Sequence, residues 1–315
     1  VFPVAFTQYF LGLDPNLDPL SQLLLKGAFI VTIILTNIYG VRTAGKFNDL
    51  LTIVKLGPLL LLICLGLVFM GLQPNVAAAH FQPFLNGDLS NVGQAFVLIF
   101  WAYAGFELSS LPADEIQHPR KTLPKALILG MLIVAAFYIV TNVVVIGVVS
   151  QETLASSSTP LAVAAANVLS VSPTMAMLGG MILTIGALVS ILGADESGSI
   201  GTSRLAFAMS IDGLLPKAFS RLQRSYHTPY IGIIVLCATA FVASITNSLS
   251  GLINSSVFLL SFAYLATCVS AFLLERRHTD TRTRAWQVTV VPALGAVFSL
   301  FLMTQVNTQQ ILISA

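Results

Sequence analysis

Residues 96–125 read FVLIFWAYAGFELSSLPADEIQHPRKTLPK, and this stretch decides the fold. An apolar run carries small residues at its middle, Ala102, Ala104 and Gly105, and a carboxylate just beyond them, Glu107. It leaves through a polar, proline-marked exit of Asp114, Glu115, Pro119, Arg120, Lys121, Pro124 and Lys125. A membrane-spanning helix with a weak, polar centre is costly in lipid. It persists where its backbone lines a cavity rather than facing hydrocarbon.

The rest of the chain supplies the membrane. Its 315 residues are 56% hydrophobic and only 9% charged, with a mean hydropathy of +0.88. A soluble domain carries about 25% charge, so a water-soluble fold is excluded. Cys64, Cys237 and Cys268 stand singly in apolar runs and read as packing residues. His80, His118, His227 and His278 are scattered over different loops, a poor pattern for a metal. Residue 1 is valine, residues 1–12 read as the tail of a span and 311–315 as the start of another. Both ends are therefore expected to be cut.

A hydrocarbon core of about 30 Å needs about 20 helical residues. Apolar runs between polar breaks predict a partial span at 1–12 and eight whole ones. These lie at 21–40, 47–71, 91–114, 125–150, 174–203, 229–247, 252–275 and 286–306. Residues 72–90 read as a polar outer loop, and 150–173 as a Ser/Ala-rich connection with room for a short surface helix. If loops alternate sides, Arg42 and Lys46, Arg120 to Lys125, Arg204 to Arg224 and Arg276 to Arg284 fall together, 13 of the 15 basic residues. By the positive-inside rule these loops are cytoplasmic. Topology thus accounts for the basic clusters, and nucleic acid is not expected as a partner.

The remaining charges lie within spans. Lys26 is near the outer end of its helix and is expected to snorkel to the interface. Lys55 lies about nine residues inside its span, which is about 13 Å deep. Asp195 lies nine residues before Arg204, with Glu196 about 100° round the helix. Glu107 lies at a comparable level if part of its stretch is unwound. Each such charge facing lipid costs about 2.5–3.5 kcal/mol. The set is expected either to form a static buried pair or to surround a wet hollow beside an interruption near Tyr103 and couple transport to protons or ions. The glycines from Gly179 to Gly201 read as a close-packing face.

Three stretches resemble one family in order and spacing. FWAYAGFELSSLPADEIQHPRKTLP resembles the sixth span and following loop of the amino acid–polyamine–organocation permeases. SRLAFAMSIDGLLPKAFSRLQRSYHTPY (203–230) is similar to the loop after their eighth span, and NIYGVRTAGKFNDLLTIVKLG (37–57) to their fourth-to-fifth hairpin. The resemblance implies an all-α polytopic membrane protein. Its fold would be an incomplete LeuT-like bundle of five-plus-five inverted repeats, a single transporter domain over 1–315 running from the third family span to the eleventh. The glycine-broken first span of the family has no counterpart here. The resemblance further implies a helix break at Phe100, Trp101, Ala102, Tyr103, Ala104 and Gly105. The carbonyls of Trp101 and Ala104 would accept from a substrate ammonium, and the Trp101 ring would gate the site. Glu107 and Lys55 would serve proton coupling. Asp195 falls where relatives carry a neutral polar residue, and would pair with Lys55 or meet a cationic substrate.

The expectation is a secondary amino-acid transporter in the cytoplasmic membrane, working by proton-coupled symport or exchange. Amine or polyamine exchange and a non-transporting truncated remnant or scaffold subunit are the alternatives. No GxxxxGK[ST] or HExxH occurs, so neither a cofactor nor enzyme chemistry is expected.

Overall fold

The computed structural model describes residues 1–39, 41–83, 90–110, 116–275 and 285–306. Asp114, Glu115, the basic 276–284 stretch and residues 311–315 lie outside them. The described residues form α-helices and no strand. Two compact units divide the chain, residues 1–86 with 105–245, and residues 87–104 with 246–315.

The larger unit is built around one long helix. It holds α1 (Phe2–Leu11), α2 (Pro19–Ile38), α3 (Val41–Leu72) and α4 (Pro74–His80). In the smaller unit, α5 (Ser90–Tyr103) follows in sequence. The larger unit resumes with a 3-10 turn (Phe106–Ser110), α6 (Pro119–Val148), α7 (Gln151–Ser156), α8 (Pro160–Val168), α9 (Pro173–Ile211) and α10 (Tyr230–Thr246). Helix starts follow local chemistry. Asp18 precedes Pro19 and caps α2 by accepting from the Ser21 amide, and Ser172 precedes Pro173 and accepts from the Met175 amide at 3.2 Å. An oxygen cap followed by proline at the first helical position satisfies an orphan donor where proline's missing N–H costs nothing.

α9 has 39 residues, about 58 Å of helix, and packs on α1, α2, α3 and α8. Its small residues set the spacing. A Cβ at Gly186 would lie 2.8 Å from Pro58 Cγ, and one at Gly179 3.0 Å from the Ala165 carbonyl oxygen. Leu62 and Leu183 share a buried cluster with Val144 and Val148. Because Pro58 meets Gly186 one turn away from that cluster, α3 and α9 run antiparallel. A second cluster joins Phe29, Ile30 and Ile33 of α2 to Ile233 and Cys237 of α10.

The connection 150–173 departs from expectation. It holds two helices rather than one surface helix, and α8 is core, with Ala164 0% exposed. Alanine lets α8 lie backbone-close to α9, an approach that a Ser/Ala-rich composition permits without announcing. The outer faces of the long helices are apolar instead. Ile128, Leu129, Leu132 and Ile139 of α6 are all at least 60% exposed, the pattern of a helix in contact with lipid. Five helices are long and apolar enough to cross a membrane, Pro19–Ile38, Leu50–Leu72, Lys121–Val148, Pro173–Ile211 and Leu249–Leu274. Three shorter apolar helices accompany them, Val92–Leu108, Tyr230–Thr246 and Thr289–Gln305.

The ends of the larger unit are distinct. At one, Thr228 donates to the Ile38 carbonyl at 3.1 Å and Tyr226 meets Tyr39 edge to face. This gathers the turn after α2 with the loop bearing Lys217, Arg221 and Arg224. At the other, a His80 ring nitrogen lies 3.0 Å from the Gly147 carbonyl, and Gln151 donates to the Pro83 carbonyl at 3.3 Å.

The smaller unit packs α5 against a hairpin of α11 (Leu249–Glu275) and α12 (Ala285–Gln305). Phe96 meets Phe301 at 5.9 Å, Val97 and Val257 are 0% exposed, and Gln94 donates to the Gln305 carbonyl at 2.9 Å.

Candidate functional site

α5 runs unbroken through Tyr103, and the chain then turns at Ala104–Gly105 into the 3-10 turn. Of the six residues expected in the break, Phe100 to Tyr103 form the last helical turn, and only Ala104 and Gly105 leave the helix. Gly105 has φ +107°, a region from which a side chain's Cβ is sterically disfavoured and which glycine occupies freely. The Ala104 amide closes on the Trp101 carbonyl at 3.1 Å, and the Leu108 amide on the Gly105 carbonyl at 3.2 Å. The ring of Phe100 packs edge-on to Tyr264 and Phe298, which fixes the direction in which that last turn ends. The Trp101 carbonyl, expected to accept from a substrate, is already engaged within the turn, but a helix C-terminus still carries partial negative charge. The end of α5 is therefore a place where an ammonium group is welcome.

Glu107 is tied to this turn. Its Oε2 accepts from the Gly105 N–H at 2.9 Å, which holds the residue of positive φ from the far side of the bend. Leu108 rests against α9, where a Cβ at Gly201 would stand 3.1 Å from Leu108 Cβ.

Lys55 and Asp195 lie on the facing helices α3 and α9, and no ion pair joins them. From the Pro58–Gly186 crossing, Lys55 is three residues along α3 and Asp195 nine along α9, an axial offset of about 9 Å. Asp195 and Glu196 both lie near Cys237 of α10. The Lys26 Nζ donates to the Ser244 carbonyl at 2.8 Å, in the last turn of α10, where carbonyls leave the helical ladder.

The residue that sequence reasoning undervalued is Glu196. It is 0% exposed. Its Oε2 accepts from Thr36 of α2 at 2.7 Å, while its Oε1 has no hydrogen-bond partner. The adjacent Asn37 stands near the same carboxyl but donates to the Ile33 carbonyl at 3.0 Å. The signal that points to it is the polar pair Thr36–Asn37 in an otherwise apolar stretch of α2.

Helices of this length and apolarity mark a multi-pass membrane protein. Residues 1–313 match the family described as amino acid permease, and the chain belongs to that family. It is 28% identical over 284 residues to the branched-chain amino acid permease BcaP of Bacillus subtilis, covering 88% of this chain and 58% of that one. It is 29% identical over 295 residues to the serine/threonine exchanger SteT of the same organism, covering 91% and 64%. The human cystine/glutamate transporter is 26% identical over 315 residues, covering 96% and 60%. The chain thus spans about six-tenths of the length of these relatives. Family and relatives agree with the reading from 96–125, 203–230 and 37–57, and with a transport protein rather than an enzyme.

Proposed function

We propose that this chain belongs to a secondary transporter that carries amino acids across the cell membrane by proton-coupled symport or by exchange, with its basic loops in the cytoplasm. The observation that carries the reading is the interruption at Ala104–Gly105 in a member of the amino acid permease family. A substrate ammonium fits the partial negative charge that a helix C-terminus such as the end of α5 carries. Trp101, in the last helical turn, covers the bound substrate. Lys55, Glu107 and Asp195 serve coupling, set around a wet hollow that opens during the cycle. The names of the relatives support amino acids as the substrate class, since one is a branched-chain permease, one a serine/threonine exchanger and one a cystine/glutamate transporter.

The test is uptake by proteoliposomes carrying the protein expressed from its complete coding sequence. Radiolabelled leucine, serine, glutamate and putrescine serve as probes, each with and without an inward pH gradient. Saturable uptake of at least one of the amino acids, faster with the gradient or with preloaded unlabelled amino acid, is expected. Uptake of putrescine alone, or of none of the four, contradicts the reading.

A further inference from the structure

We propose that Glu196 holds a monovalent cation, a proton or an alkali ion, within the packing of α2, α9 and α10. It is reached from the end of the bundle that carries Arg204.

The argument begins with an uncompensated group. Glu196 is fully buried, and among the described residues no basic side chain forms an ion pair with it. One carboxyl oxygen accepts from the Thr36 hydroxyl at 2.7 Å, and the other, Oε1, has no partner within hydrogen-bond geometry among the described residues, with the Asn37 amide a further donor group beside the carboxyl. A buried carboxylate is tolerated when its charge is paired or its oxygens are satisfied, and among the described residues no cationic side chain pairs with this one, which has the neutral groups of Thr36 and Asn37 beside it. A bound cation at Oε1 meets both conditions.

The surroundings hold only groups compatible with that occupant. α2 brings Thr36 and Asn37, both uncharged and oxygen-bearing. α10 brings Cys237, 4% exposed. On α9 itself the neighbour is Asp195, whose like charge adds to the demand for a cation, and Arg204 lies eight residues on, about 12 Å along the axis.

A route is present. A water-sized pocket is lined by Asn37, Ile200, Ser203, Arg204 and Thr228, among others. Ile200 is one helical turn beyond Glu196, and Asn37 borders both the carboxyl and the pocket. Asn37, Ser203 and Thr228 give the pocket polar groups, while Ile200, Pro229 and Ile233 line the rest of it.

The site rests on the transporter reading only for its role in a cycle, since cation binding is measured without substrate. The complete protein in liposomes is followed by infrared difference spectroscopy as pH is raised in choline buffer. Binding of radioactive sodium is measured in parallel, for the wild type, Glu196→Gln, Thr36→Val and Asp195→Asn. If the cation is a proton, a protonated-carboxyl band disappears with rising pH in the wild type and in Asp195→Asn and is missing from Glu196→Gln. If it is an alkali ion, the wild type binds one sodium that Glu196→Gln loses. Thr36→Val, which removes one hydrogen bond to the carboxyl, shifts the midpoint by about one pH unit or weakens sodium about tenfold. Glu196→Gln is nearly isosteric, and its folding is checked by its melting curve. Identical spectra and identical sodium binding in the wild type and in Glu196→Gln overturn the proposal, whether or not any amino acid is transported.

Discussion

Gly105 carries a backbone conformation that only glycine adopts cheaply, with φ +107° and open space where a Cβ would stand. The cost of Gly105→Ala is therefore conformational rather than steric. It is expected to be about 1–2 kcal/mol, to lower the melting temperature in detergent and to slow uptake more than tenfold. An unchanged melting curve and unchanged uptake would show that the bend tolerates an ordinary residue. Glu107 tests the same bend from its other side. Glu107→Ala removes an acceptor from the Gly105 amide while Glu107→Gln keeps an oxygen there, so hydrogen exchange at residue 105 should quicken in the first and change little in the second. A third residue gives a pH dependence. Hydrogen bonds from Ser21 hold the exposed Asp18 carboxyl below the usual carboxylate range. A carboxyl lowered in this way adds stability above its unfolded value and loses it as pH falls through the folded one. Amide exchange at Ser21, corrected for intrinsic rates, should thus accelerate on acidification only below the ordinary carboxylate range, and Asp18→Asn should abolish that dependence.

Helix pairs in this protein meet through small residues and proline. Lipid offers apolar side chains as good a solvent as a neighbouring helix does, so shape complementarity decides which helices associate. At the α3–α9 crossing, Gly186 accepts the rigid ring of Pro58, and an added Cβ at 2.8 Å has no flexible neighbour to displace. Gly186→Ala is expected to destabilise by about 1–3 kcal/mol. Gly130→Ala, on α6 with nothing within 4 Å, should be neutral or slightly stabilising through helix propensity. Melting of the two variants in one detergent separates the packing explanation from a general intolerance of glycine replacement. The same logic explains why α8 was misplaced by sequence reasoning. Ala162, Ala164 and Ala165 are indistinguishable by hydropathy from surface-helix alanines, and only the groove on α9 makes them core.

At the scale of the whole molecule, hydropathy carried most of the fold. Spans with long apolar runs are legible because lipid forces each backbone polar group into a helix, so a run of the right length has one outcome. The interruption was legible only in part: the expected break over Phe100–Gly105, near Tyr103, holds at Ala104 and Gly105 alone, because α5 stays helical through Tyr103. Contacts between distant helices were not legible. The absence of a Lys55–Asp195 pair, the Lys26 contact with Ser244 and the burial of Glu196 against Thr36 depend on helix rotation, which small changes of packing reset. Topology makes a prediction of its own. A cysteine at Lys217 should be labelled by a membrane-impermeant maleimide only from the cytoplasmic side and one at Thr153 only from outside. The reverse pattern would invert the assignment of the basic loops.

The central claim is that the bend at Ala104–Gly105 receives the substrate. Hydrogen–deuterium exchange of the complete protein, read on peptides covering residues 100–110 with and without a saturating transported amino acid, tests it most directly. The account predicts that substrate slows exchange there at least about tenfold while peptides from the lipid-facing side of α6 stay unchanged. Equal exchange in both conditions, with substrate shown to be bound, would contradict it.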